Sequence, residues 1–243
     1  MPAEEAETAR ARLLALVPAG FEEVEGEGWV ELAAYVEEAG LAALRAAFPG
    51  LRTEPVEDGW EDRWRAFHRP VQAGGLWIGP PWAAPPPGEC ALIVDPGRAF
   101  GTGAHPTTRA CLELLAGSER GSLLDAGCGS GVLAAAGARL GFAPVLALDV
   151  DGAAVQAAAE TASRNRVAVE VRQADVLRDP LPEADLVVAN IELPAVEALL
   201  ARRPARRAIV SGYLARDAVR APGWRRLRRL ELEGWAAEAL EAL

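Results

Sequence analysis

From residue 107 onward, short apolar segments alternate with stretches of helical periodicity, and few folds accept that order. The pattern predicts a helix over 107–117, a strand over 122–126, a helix over 131–140 and a strand over 144–149. A helix over 152–164, strands over 168–173 and 185–189, a helix over 193–202 and a strand over 207–212 follow. Parallel strands need a crossover that runs over a sheet face, so regularly alternating units imply an α/β fold: a mostly parallel sheet with helices on both faces. Such sheets bind ligands beyond the carboxyl ends of their strands, near the point where strand order reverses. Residues 224–243 are expected to form a final antiparallel pair turning at Glu233-Gly234.

The chain has 243 residues, enough for this domain and a smaller one. Residues 1–57 are expected to form a small α+β domain. It would hold a helix over 3–17 with Leu13, Leu14 and Val17 on its apolar side, then two strands around a Gly-rich turn at 26–28. A helix over 39–48, ended by Pro49-Gly50, and a short strand "LRTEPV" would complete it. Residues 58–70 are expected to form a linker helix, with Trp60, Trp64 and Phe67 at i, i+4 and i+7 on one face. The α/β domain then covers 71–243.

Composition removes several chemistries. All 25 basic residues are arginine, so Schiff-base catalysis, a lysine general base and a Walker-type phosphate loop are excluded. Cys90, Cys111 and Cys128 are odd in number and widely spaced, which suits a reducing compartment and gives no zinc spacing; no metal site is expected. No apolar run of about 18 residues is present, so no membrane span is expected. The acidic, amphipathic start "MPAEEAETARARLL" is unlike a secretory signal, and a cytoplasmic location is expected. The formal net charge is −10, and residues 1–70 hold 15 acidic residues against 7 arginines. Such a surface attracts basic partners and repels nucleic acid, so no stable nucleic-acid binding is expected. A monomer is expected.

The stretch "LLDAGCGSGVLAAAGARL" (123–140) carries the chemistry. Gly127, Gly129 and Gly131 are spaced two and two, with Val at 132, whereas a dinucleotide loop needs G-x-G-x-x-G. The spacing G-x-G-x-G, following Asp125, resembles the S-adenosylmethionine loop of Rossmann-like methyltransferases. That ligand has no phosphates; it needs close backbone approach and acidic groups for its amine and hydroxyls. The next strand ends in Asp149, about 20 residues on, where a ribose-binding carboxylate belongs. Asp151 is the better candidate for the helix cap that follows. Asp175, just past the third strand, is placed to accept from the adenine amine, though a solvated loop aspartate would look the same. Asn190 ends the fourth strand, where its amide oxygen can hold an amine nucleophile by an N–H; it is the candidate catalytic residue. In "AFGTGAHPTTRACL" (99–112), Thr107 and Thr108 open a helix, and their hydroxyls can reach the carboxylate of the cofactor's methionyl part. His105 is a candidate base, but more often such a histidine is a hydrogen-bonding scaffold.

"GTGAHPTT", "DAGCGSGVLAAA" and "VVANIEL", together with "WEDRWRAFHRPVQAGGLWIGPPW", resemble the PrmA family, which methylates large-subunit ribosomal protein eleven. The similarity runs from about residue 57 to 214. The resemblance implies a Rossmann-like methyltransferase domain with a seven-stranded type of sheet, a small N-terminal substrate-recognition domain, and S-adenosylmethionine as cofactor. It implies lysine ε-amines or an N-terminal α-amine of that ribosomal protein as substrate. It also places Thr108, Gly127, Asp149 and Asn190 on cofactor-binding positions. The chain departs from the family at "ARRPARRAIV", which replaces a Pro-Gly-Gly approach to the fifth strand, and in a short segment between Tyr213 and Trp224. A small-molecule or other protein-lysine methyltransferase on the same catalytic domain is the alternative. The acidic balance and the absence of an "NPPY"-like motif disfavour a nucleic-acid methyltransferase.

Overall fold

The sheet that organises the larger part of the chain has seven strands. In the computed structural model, residues 9, 12, 13, 16, 17, 22–26, 29–34, 36, 38–54, 68–96 and 103–243 are described. The chain divides into two compact units, Met1–Trp60 and Glu61–Leu243.

In the first unit, strands β1 (Glu22–Gly26) and β2 (Trp29–Ala33) pair antiparallel with Gly26 opposite Trp29. Helix α1 (Glu38–Ala47) buries Leu44 in a cluster with Leu13 and Val17. Leu32, Val36 and Phe48 pack against that cluster. The expected strand at 51–56 does not form over its described part: residues 51–54 are exposed, and no strand among the described residues pairs with them. Arg45 instead donates to Thr53 Oγ1 at 3.3 Å, and Pro55 brings no N–H to a ladder. Leu14, most of the helix expected over 3–17, and residues 58–67 of the expected linker helix lie outside the described residues. His68, Arg69 and Pro70, its expected end, are not helical, because a residue before proline is disfavoured in helical backbone.

The second unit opens with a three-stranded sheet of β3 (Val71–Ala73), β4 (Leu76–Gly79) and β5 (Ala91–Ile93). Helix α2 (Pro106–Ala116) leads into β6 (Leu123–Ala126), α3 (Val132–Arg139), β7 (Val145–Asp149), α4 (Gly152–Asn165) and β8 (Glu170–Gln173). Then come β9 (Ala184–Asn190), α5 (Leu193–Ala201), β10 (Ala205–Leu214), β11 (Trp224–Leu232) and β12 (Trp235–Ala242). No boundary of the alternating region differs from the sequence expectation by more than two residues. The order is β11-β12-β10-β9-β6-β7-β8. Strands β8, β7, β6, β9 and β10 run parallel, and β12 is antiparallel to both its neighbours. Residues 215–223 join β10 to β11 without a helix. The last hairpin turns at Glu233 (φ 50°) and Gly234 (φ 82°), the paired positive angles of a two-residue turn.

One sheet face is covered by α2, α3 and α4 through Leu112, Leu115, Leu133 and Ala158. The other is covered by α5 through Val196, Leu199 and Leu200. Asn165, at the end of α4, ties the small sheet to this layer. Its Oδ1 accepts from Ile93 N and its Nδ2 donates to Ile93 O, both at 2.7 Å. Strand order reverses between β6 and β9, so the carboxyl ends Ala126 and Asn190 flank the crevice where a ligand is expected.

Candidate active site

The turn after β6 is built from left-handed backbone: φ is 78° at Gly127, 52° at Gly129 and 75° at Gly131. Gly127 N and Cys128 N both donate to Leu148 O, at 2.8 and 3.0 Å, which hangs the turn from the end of β7. A Cβ at Gly127 would stand 2.4 Å from Ile191 Cγ2, and one at Gly131 would stand 2.7 Å from the Cα of Ala158. Two of the three glycines are therefore required by the protein's own packing, whatever the turn binds.

Asp149, the last residue of β7, binds this turn directly. Its Oδ2 accepts from Gly129 N at 2.9 Å and its Oδ1 from Asp151 N at 3.0 Å. Each oxygen keeps a lone pair for a ligand hydroxyl. Asp151 caps α4, accepting from Ala153 N at 2.9 Å, which frees Asp149 from that duty. Asp175 lies just beyond β8, next to Ala174, whose N–H donates to Asp149 O at 2.8 Å. Its own Oδ1 accepts from Leu177 N at 2.8 Å and its Oδ2 pairs with Arg178 at 3.3 Å. Those bonds shape the local turn and speak for the loop role as much as for a ligand.

Asp125, in β6, is buried, and its Oδ2 accepts from Ala134 N at 2.9 Å in the first turn of α3. Burial, then repulsion by Asp149, pushes its pKa up to about 7. Cys128, inside the turn, is also buried, and burial raises its thiol well above the ordinary value.

Across the crevice, Asn190 Nδ2 donates to Thr108 Oγ1 at 3.3 Å, joining the end of β9 to the start of α2. Thr107 and Thr108 are each 1% exposed. His105 caps α2: its Nδ1 accepts from Thr107 N at 3.3 Å and lies 2.7 Å from Thr107 Oγ1. Burial, then the nearby Arg109, lowers its pKa. Residues 97–102, including the first part of "AFGTGAHPTT", lie outside the described residues.

Three contacts had no sequence signal. Trp235 meets His105 edge-on at 4.9 Å between ring centres, and Arg109 pairs with Glu233 at 2.5 Å, so the last hairpin buttresses the start of α2. Gly212 (φ 98°) interrupts the β10 register, and a Cβ there would lie 2.1 Å from Ile191 O. These are tertiary pairings between segments tens of residues apart, and nothing local encodes them. A cleft of about 880 Å³ opens elsewhere, at the amino ends of β6, β7 and β9, lined by Ser122, Pro144, Glu170 and Ala184. It gathers none of the candidate site residues.

The profile of the PrmA family, described as ribosomal protein L11 methyltransferase, matches residues 15–227. The chain belongs to this family. It is 39% identical over 226 residues to a ribosomal protein L11 methyltransferase of Symbiobacterium thermophilum, spanning 82% of this chain and 73% of that one. It is also 39% identical over 218 residues to one of Burkholderia cenocepacia, spanning 86% and 69% respectively. Among solved structures, ribosomal protein L11 methylase from Lactobacillus delbrueckii subsp. bulgaricus superposes with a TM-score of 0.63 at 25% identity, over 72% of this chain and 99% of that one. As a PrmA-family member, the chain is an S-adenosylmethionine-dependent methyltransferase with a Rossmann-like fold. The crevice suits that cofactor. A glycine turn without a phosphate-binding signature, Asp149 with acceptor capacity to spare, and a buried Asp125 oxygen with no partner among the described residues match a ligand that brings hydroxyls and positive charge.

Proposed function

We propose that this protein transfers methyl groups from S-adenosylmethionine to amines of ribosomal protein L11, on lysine side chains, the N-terminus or both. The observation that carries the reading is the junction of Asn190 and Thr108 opposite the glycine turn, in a chain of this family. The bound cofactor supplies a methyl group on a positively charged sulfur, so no leaving group needs a proton. The protein's part is to align and to exclude water. Gly127, Gly129, Gly131 and Asp149 would hold the nucleoside portion, with Asp175 near the base and Asp125, Thr107 and Thr108 around the amino-acid portion. Asn190 is the residue proposed to touch the nucleophile. One N–H of its amide is engaged by Thr108, which leaves the amide oxygen to accept from the incoming amine.

Residues 1–57 would select the substrate, 58–70 would link the units, and 71–243 would perform the transfer. The support for a recognition role is the acidic composition of the first 70 residues, which suits a basic protein substrate. Among the described residues no helix is long and apolar enough to cross a membrane. The test is to incubate the protein with labelled cofactor and a ribosomal extract, then with purified L11. Label confined to L11 amines is the expected result. Label on small molecules or RNA with none on L11 would sink the substrate assignment.

A further inference from the structure

Asp125 is 1% exposed, and among the described residues no cation contributes to its pKa shift. In the sheet it stands between Ala147 of β7 and Val188 of β9. Helix α3 gives it one bond, from Ala134 N to Oδ2, and Oδ1 has no partner among the described residues. The ionisable groups that act on it or feel it are Asp149 and the thiols of Cys111 and Cys128, none of them a cation. An ionised carboxylate taken out of water without a counter-charge is costly, and it stays neutral or waits for a cation.

We infer that binding of the methyl donor expels a proton from Asp125, whose buried carboxyl, with Oδ1 unpartnered among the described residues, ionises once the ligand's positive charge occupies the crevice. This rests on the reading of the crevice as the donor's site. The proton leaves to the buffer; no bond to carbon or sulfur is made or broken. The ligand carries a sulfonium and an α-ammonium against one α-carboxylate, and its net positive charge favours the ionised carboxylate in a poorly solvated site. With Asp125 held to about 7, about half of the free protein carries this proton at pH 7. A bound carboxylate then makes donor affinity rise about fivefold between pH 6 and pH 7, below the range in which the donor's own α-amine titrates. A ligand with the same nucleoside but no charge has nothing to exchange for that proton, so Asp125 distinguishes the charged donor from its neutral fragments.

Titration calorimetry of the full chain at pH 7, in buffers of different protonation enthalpy, counts the protons released. S-adenosylmethionine is expected to release about half a proton, and uncharged 5′-methylthioadenosine none. Asp125→Asn keeps the shape and cannot ionise, so its donor binding is expected to release no proton from this position. His105, another titratable group near the crevice, whose pKa burial lowers, is untouched in that variant. The inference is overturned if the wild type binds donor with no proton release and flat affinity from pH 6 to 7. It is also overturned if Asp125→Asn releases as much as the wild type. Should that variant not fold, equal release by the charged and uncharged ligands in the wild type overturns it just as well. If neither ligand binds, the assignment of the crevice falls and this inference with it.

Discussion

His105 turns Nδ1 toward Thr107, accepting from its backbone N–H. An imidazole that accepts at Nδ1 carries its proton on Nε2 when neutral, the tautomer that suits a helix cap. His105 thus reads as a cap for α2, and the neutral amine is expected to arise another way. Free lysine amines titrate near 10.4 and α-amines near 7.7–8.0. Desolvation beside a positive sulfur lowers both by disfavouring the ammonium. At saturating substrates the methylation rate should therefore rise with pH above 7. Asn190→Ala should lower kcat at least tenfold, by misalignment, while keeping that slope and cofactor binding. His105→Ala should cost less. A folded His105→Ala protein that binds cofactor but has lost turnover and its neutral-range pH dependence would identify His105 as the base. Asp149 poses a second residue-level test. Its removal takes away the charged acceptor for the cofactor's hydroxyls and for Gly129 N and Asp151 N. Each such bond is worth roughly 1.5–3 kcal/mol, so Asp149→Ala should weaken S-adenosylmethionine binding by about tenfold or more. Unchanged affinity by calorimetry in the folded variant would remove Asp149 from the site. Asp149 was legible because a carboxylate closing the second strand has a position fixed by chain geometry. Asp175 was less so, since a loop aspartate bonds its own turn as readily as a ligand.

At the scale of elements, the alternating region was legible because each strand and helix must bury one face or both, and that burial writes a period into the sequence. Its glycines carried two messages that the sequence merges. Gly131 meets the demand of a left-handed turn and also admits α4 to within contact of the turn. Gly131→Ala would force a Cβ onto a φ of 75° and against the Ala158 backbone. A left-handed non-glycine residue costs roughly 1–3 kcal/mol before any clash. The variant should therefore unfold at lower temperature and bind cofactor more weakly, as thermal denaturation and calorimetry would register. An unchanged Tm would mean that α4 can withdraw at little cost. Where burial was slight, the sequence misled. Residues 51–54 look strand-like, yet they are exposed, and no strand among the described residues pairs with them. The bracing of α2 by Trp235 and Glu233 escaped notice for the opposite reason: those contacts join segments more than a hundred residues apart.

For the whole molecule, the question is whether catalysis and recognition are separable. Every candidate site residue from Thr107 to Asn190 lies within Glu61–Leu243, and so do both buried layers that hold the sheet. Binding of cofactor should then need only the larger unit, whereas capture of a protein substrate should need the smaller one. A chain beginning at Asp58 is expected to bind S-adenosylmethionine with affinity within a factor of about three of the full chain, a difference of under 1 kcal/mol. The same chain is expected to lose methylation of L11 by two orders of magnitude or more, chiefly through KM, because removing a recognition surface removes binding that is equal in ground and transition states. Calorimetry and initial rates on the two proteins separate the outcomes. Full activity toward L11 in the shortened chain would strip residues 1–57 of the recognition role. Loss of cofactor binding in a folded shortened chain would show instead that the smaller unit helps to build the crevice.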